Sequence, residues 1–213
     1  MSASFGIASQ DERKSTSLED ETPLLLTHST ITDIGFSADS IYTNTTIAAG
    51  TYNGCAILEN QSMVCWGDNE YGQLGDGTTT GSAVPIYVNV AANETPVEVT
   101  VGQVTACALM ESGNIYCWGS GYYGKMGNGE PWNDDYVNTE MRQVLLPEGQ
   151  GGQTVSISGG HICTILDNGD VYCWGRGNQG QLGYGGTSNR NIPAKVNLPG
   201  QRSAIAISTG TFM

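Results

Sequence analysis

Residues 163–185 read CTILDNGDVYCWGRGNQGQLGYG. Two earlier stretches carry the same skeleton, CAILENQSMVCWGDNEYGQLGDG at 55–77 and CALMESGNIYCWGSGYYGKMGNG at 107–129. Each runs Cys, nine residues, Cys-Trp-Gly, four residues, then Gly-[Gln/Lys]-[Leu/Met]-Gly-x-Gly. The periods, Cys55 to Cys107 and Cys107 to Cys163, are 52 and 56 residues. Recurrence at such a spacing marks an array of supersecondary units, in which each unit buries its apolar faces against its neighbours.

The repeat also disposes of a tempting motif. Gly175-Arg-Gly177-Asn-Gln-Gly180 satisfies G-x-G-x-x-G, the spacing of a dinucleotide-binding loop. Such a loop follows one strand and opens one helix. Here its position recurs in every unit, the middle glycine is Asn69 in the first, and more Gly and polar residues follow instead of a helical pattern. The glycines are read as turn residues that need positive φ or close backbone approach. No cofactor is expected.

Within each unit the stretch between the cysteines reads as strand, turn, strand. Setting Cys163 opposite Cys173 pairs Thr164 with Tyr172 and Ile165 with Val171, and leaves Asp167-Asn168-Gly169 as a three-residue loop. Loops of that length commonly end on a left-handed residue, usually Gly. Gly169 and Gly113 stand there, whereas the first unit has Gln61, so its turn is expected to be strained or different. Counting outward, each Cys pair falls on a non-hydrogen-bonded rung, where Cα atoms approach to about 4.5 Å. A disulfide accepts that distance. The expected bridges are Cys55–Cys65, Cys107–Cys117 and Cys163–Cys173. Free buried thiols are the competing reading, because Cys also behaves as a small apolar side chain. Zinc is disfavoured: no C-x-x-C pair exists and the histidines are His28 and His161 alone. Bridges would imply an oxidising compartment, either extracellular, at the cell surface or periplasmic; reduced thiols would imply an intracellular protein.

Alternation puts Cys163, Ile165, Val171 and Cys173 on one face of the third hairpin and Thr164, Leu166, Tyr172 and Trp174 on the other. Both faces are largely apolar, so each sheet is sandwiched between neighbours. Further strands are expected upstream at 46–50, 97–102 and 155–159, and proline-containing edge strands downstream at 84–88 and 192–196. The expected fold is all-β: about three four-stranded antiparallel blades of an incomplete β-propeller. The repeats divide as approximately 46–96, 97–154 and 155–203, with 204–213 restarting the pattern as if inside a fourth. Residues 1–45 are polar and read as a largely disordered segment or the edge of a degenerate blade. The chain is thus expected to belong to a longer protein, or else to self-associate through open blade edges.

Small residues and Gly before Cys-Ala-Leu, followed by Cys-Trp-Gly-x4-Gly-Gln-Leu-Gly, resemble the repeats of the regulator of chromosome condensation family, over roughly residues 46–213. The position two before the first Cys, often His in that family, is Asn53, Thr105 and His161 here, so only the third unit matches. The resemblance implies propeller blades. It also offers guanine-nucleotide exchange on a small GTPase as an alternative function, since the founding member is a nuclear exchange factor that binds nucleosomes.

Charge argues against carrying that activity over. Eight Lys plus Arg stand against 21 Asp plus Glu, for a net charge of −13. Such a chain repels phosphate backbones, and no nucleic-acid partner is expected. No apolar run is long enough to cross a membrane as a helix. No Ser, His and acid recur as a triad, and no calcium-loop spacing appears at Asp68-Asn69-Glu70 or Asn133-Asp134-Asp135. The function expected is non-catalytic binding of a protein partner, with no metal. An accessory module of a larger secreted enzyme is a further alternative. The variable loops after each Trp-Gly form the expected contact rim, with Asp68, Asn69, Tyr71, Tyr122, Tyr123, Trp132, Arg176 and Asn178 as candidates. Aromatic packing between blades competes as the role of Tyr122, Tyr123 and Trp132.

Overall fold

The computed structural model describes residues 47–131 and 136–210. The expectations for residues 1–45, and for Trp132, Asp134 and Asp135, therefore lie outside the described residues. Among the described residues, twelve strands form three four-stranded antiparallel sheets with simple up-and-down order. The first blade holds β1 (Ile47–Ala49), β2 (Asn53–Ile57), β3 (Met63–Gly67) and β4 (Ser82–Tyr87). The second holds β5 (Pro96–Val101), β6 (Thr105–Met110), β7 (Ile115–Ser120) and β8 (Val137–Gln143). The third holds β9 (Gly152–Ile157), β10 (His161–Leu166), β11 (Val171–Gly175) and β12 (Arg190–Lys195).

The central hairpins have the expected register. Cys55 lies opposite Cys65, Cys107 opposite Cys117 and Cys163 opposite Cys173. Each pair is a disulfide with Cα atoms 4.1 Å apart. The turns close alike: Gly169 N–H donates to Leu166 O at 2.8 Å, Gly113 N–H to Met110 O at 2.9 Å, and Gln61 N–H to Leu58 O at 2.9 Å. Gln61 thus makes the same turn as the glycines, holding a left-handed φ of +65°.

The tryptophan of each Cys-Trp-Gly interrupts pairing with the outermost strand, where the register shifts between Cys65 and Gly67, Cys117 and Gly119, and Cys173 and Gly175. Such irregularities re-aim side chains. Trp118 is buried in a cluster with Cys55, Cys65 and Leu74 of the preceding blade. Trp174 is likewise buried with Cys107, Cys117 and Met126. The indole Nε1–H of Trp118 donates to Gln73 O at 2.9 Å, and that of Trp174 to Lys125 O at 2.9 Å. Every blade-to-blade joint therefore sets a tryptophan over the neighbour's disulfide and pins it to the neighbour's Gly-[Gln/Lys]-[Leu/Met]-Gly turn. Trp66, at the same position in the first blade, is only half-buried. Glu98 crosses the second joint, accepting from Thr154 Oγ1 at 3.0 Å and Val155 N–H at 3.4 Å.

The proline-containing strands are at the edges as expected, with Pro85 in β4 and Pro193 in β12. The second blade's edge strand, Val137–Gln143, had no such signature: it lacks Pro and is largely polar. Residues 204–210 do not form the strand their sequence suggests. They run across the Cys163–Cys173 face, where Ala204 and Ile207 cover the apolar cluster and Thr209 N–H donates to Ser156 Oγ at 3.0 Å.

Candidate functional site

The loop after each Trp-Gly is a tight structure whose glycines carry the conformations side chains resist. In the third unit Gly175 and Gly180 have φ of +96° and +77°. A Cβ on Gly177 would stand 2.1 Å from Ser188 O. This is the backbone of a turn, in agreement with the reading of G-x-G-x-x-G as turn chemistry. The loop then delivers Leu74, Met126 or Leu182 into the core, each at most 2% exposed.

A glutamine precedes that apolar residue in two units and ties the loop together. Gln73 Oε1 accepts from Tyr71 N–H at 2.9 Å, and Gln181 Oε1 accepts from Gln179 N–H at 2.8 Å. Gln73 Nε2 further donates to Asp68 Oδ2 at 2.8 Å. The second unit has Lys125 in this place. An ammonium cannot accept, and there Tyr123 takes a left-handed φ of +66°. Lys125 is 2% exposed, and its ε-ammonium has no hydrogen-bond or ion-pair partner among the described residues. Desolvation by burial lowers its pKa to about 8.

The loops of all three units line one groove of about 730 Å3. Tyr71 comes from the first; Ser120, Tyr122, Tyr123 and Lys125 from the second; Arg176 and Gln181 from the third. The turns between the inner strands add Gln103 and Val104, and Ser158 to His161. The rings of Tyr122 and Tyr123 have centroids 3.9 Å apart, and the Arg176 guanidinium lies 5.3 Å from the Tyr123 centroid. Arg176 Nε–H donates to Asn178 Oδ1 at 2.9 Å. His161 Nδ1 and Ser158 Oγ are hydrogen-bonded at 3.0 Å, and burial lowers the imidazole's pKa.

Seven of the eight rim candidates lie among the described residues, and they separate. Tyr71, Tyr122, Tyr123 and Arg176 line the groove, and Asn178 braces Arg176 from an exposed position. Asp68 is half-buried and turned to Gln73. Asn69 corrects the expectation: it is fully buried, donating to Asp76 Oδ1 at 3.1 Å and Thr80 O at 3.1 Å while accepting from Leu74 N–H at 2.9 Å. It is a loop strut and presents nothing to a partner. Sequence reasoning passed over Lys125, although a lone Lys among Gln at one repeat position was a visible signal. Gln103 and Ser158 had no signal, since only stacking brings the inner turns to the loops.

The chain matches the Regulator of chromosome condensation (RCC1) repeat over residues 64–109 and 168–212, and a second description of that repeat over 45–73, 97–125 and 153–181. It is 34% identical over 150 residues to the E3 ubiquitin-protein ligase HERC2 of Homo sapiens, covering 70% of this chain and 3% of that protein. With the Ultraviolet-B receptor UVR8 of Arabidopsis thaliana it shares 30% identity over 151 residues, 70% of this chain and 33% of the receptor. It superposes on yeast RCC1 (Prp20), solved bound to Kap60, with a TM-score of 0.65 at 18% identity, covering 78% of this chain and 39% of that one. Human WBSCR16 gives a TM-score of 0.65 at 20% identity, covering 76% and 41%. The chain spans well under half the length of each relative, and the structural likeness establishes the fold as an open propeller segment. With its repeats, its stacked blades and these matches, the chain belongs to the regulator of chromosome condensation repeat family.

Proposed function

We propose that this chain is a non-catalytic binding scaffold that holds a protein partner in the groove formed by its post-tryptophan loops. One observation carries the proposal: side chains from three separate repeats, Tyr71, Tyr122, Tyr123 and Arg176, line a single concavity. Convergent aromatic and Arg side chains on loops held by rigid sheets are what protein-contact surfaces use. Relatives with the same repeats point the same way, since the yeast RCC1 structure was solved with Kap60 bound. The repeat boundaries at 46–96, 97–154 and 155–203, with 204–213 opening a further unit, belong to the same proposal. So does an oxidising compartment, which three disulfides support.

Photo-crosslinking side chains at Tyr71 and Asn178 test the groove against one at Val84, exposed on the outer edge strand β4. The expected result is partner adducts from Tyr71 in the groove and from Asn178 at its edge, and not from Val84. Equal adducts from Val84 would overturn the site. The compartment is checked by non-reducing peptide mapping of native-source protein alkylated during lysis. The three bridged pairs are expected. Recovery of all six cysteines alkylated would overturn the compartment and favour an intracellular regulator.

A further inference from the structure

We infer that the groove selects a carboxylate-bearing segment of its partner, an acidic peptide whose side chain pairs with Lys125. The inference rests on the scaffold function proposed above and names the chemistry of its ligand. Lys125 is the centre of the argument. The position is occupied by Gln73 and Gln181 in the flanking repeats, where the glutamine caps its own loop. Lysine gives up that hydrogen bond and puts a charge where only 2% of the residue meets solvent. An ammonium so nearly enclosed, with no anion beside it among the described residues, is a costly arrangement, and loop geometry gives no reason for it.

The surroundings are matched to an anion. Arg176 and His161 line the same groove, so it gathers two of the chain's eight Lys plus Arg and one of its two histidines. No Asp or Glu lines it among the described residues, although the chain has 21 of them. The one salt bridge between described residues, Lys195 to Asp170, involves neither base. A basic, carboxylate-free groove in a chain of net charge −13 is therefore a local inversion of the molecular field. At physiological salt the far acids are screened beyond about 8 Å, leaving a docked carboxylate to the groove. Tyr71 and the close, mutually tilted Tyr122–Tyr123 pair offer apolar ring surface to the rest of the segment. A nucleic-acid strand would have to place a run of phosphates against the acidic remainder of the surface, which favours a peptide.

The test is fluorescence anisotropy with the intact chain and a short blocked peptide rich in Glu, Asp and Tyr, beside its Gln/Asn counterpart. Lys125→Gln is the informative variant, because the repeats on both sides already fold with glutamine there. The acidic peptide is expected to bind the parent chain, and the Gln/Asn peptide to bind far more weakly. Lys125→Gln is expected to weaken the acidic peptide roughly thirty-fold or more, the usual loss when one partner of a buried charge pair is removed. Inorganic phosphate added in excess should not displace the peptide; displacement would overturn the carboxylate assignment in favour of phosphate. Equal binding to the parent and Lys125→Gln overturns the inference while leaving the groove intact, provided Tyr71→Ala weakens binding. Binding that ignores both substitutions overturns the groove itself. No binding of the acidic peptide overturns the inference, and the crosslinking experiment then judges the scaffold alone.

Discussion

At the scale of the residue, Lys125 makes stability depend on pH. Its pKa is about 8 in the folded chain against 10.5 for a free lysine. Between those values the unfolded chain binds more protons than the folded one, so stability rises as pH rises through the window. Below pH 8 the full penalty is present, about 3 kcal/mol for a shift of that size. Tyr122, Tyr123, His161 and Arg176 share the groove with it. Lys125→Gln removes the charge and supplies an acceptor for Tyr123 N–H. It should raise stability at pH 7 by roughly 1–3 kcal/mol, with the gain shrinking toward pH 10. Urea titrations at a series of pH values check this, and a variant less stable than the parent at pH 7 would refute it. Stability and ligand binding are then opposed at a single side chain, as expected where a site stores strain.

At the scale of the element, the unit is a disulfide-stapled hairpin. Each bridge closes a sequence separation of 10 residues, which in the chain-entropy account stabilises by roughly 2.5–3 kcal/mol. The three turns are alike in hydrogen bonding but not in cost. Gln61 holds a left-handed backbone that disfavours an L side chain by roughly 1–2 kcal/mol, whereas Gly113 and Gly169 do so freely. Gln61→Gly should therefore stabilise, by roughly 0.5–1 kcal/mol after the extra entropy glycine loses on folding. A thermal melt with the disulfides intact would register a higher midpoint. An unchanged or lower midpoint would mean that Gln61 makes a compensating contact.

At the scale of the whole molecule, the blades are joined by one repeated device, a tryptophan set over the neighbour's disulfide and bonded to its turn carbonyl. Trp118→Phe keeps an aromatic ring but deprives Gln73 O of its donor and leaves a small cavity at the first joint. The expected loss is roughly 2–4 kcal/mol. Trp66→Phe, at the half-buried counterpart, should cost under about 1 kcal/mol. Chemical denaturation of the two variants makes the comparison. Equal losses would show that the joints do not dominate the coupling between blades.

Much of this was legible in the chain itself, because it depends on neighbours a few residues apart. Two-residue alternation and a three-residue loop fixed the hairpin register, and the register decided which cysteines meet: Cys55 with Cys65, Cys107 with Cys117, Cys163 with Cys173. The recurring Trp-Gly and its glycines identified turns where a cofactor loop could have been imagined. The second blade's outer strand was not legible, since a half-exposed polar edge has neither alternation nor proline to mark it. Nor was the fate of the loop residues. Asn69 and Tyr71 are two positions apart in one variable loop, yet one is buried as a strut and the other lines the groove. Only the stacking of blades brings Tyr71, Lys125 and Arg176, each about one repeat from the next, to a common wall. A local pattern specifies a blade; the angle at which blades pack, set by tryptophans reaching across about fifty residues of sequence, decides what faces the groove.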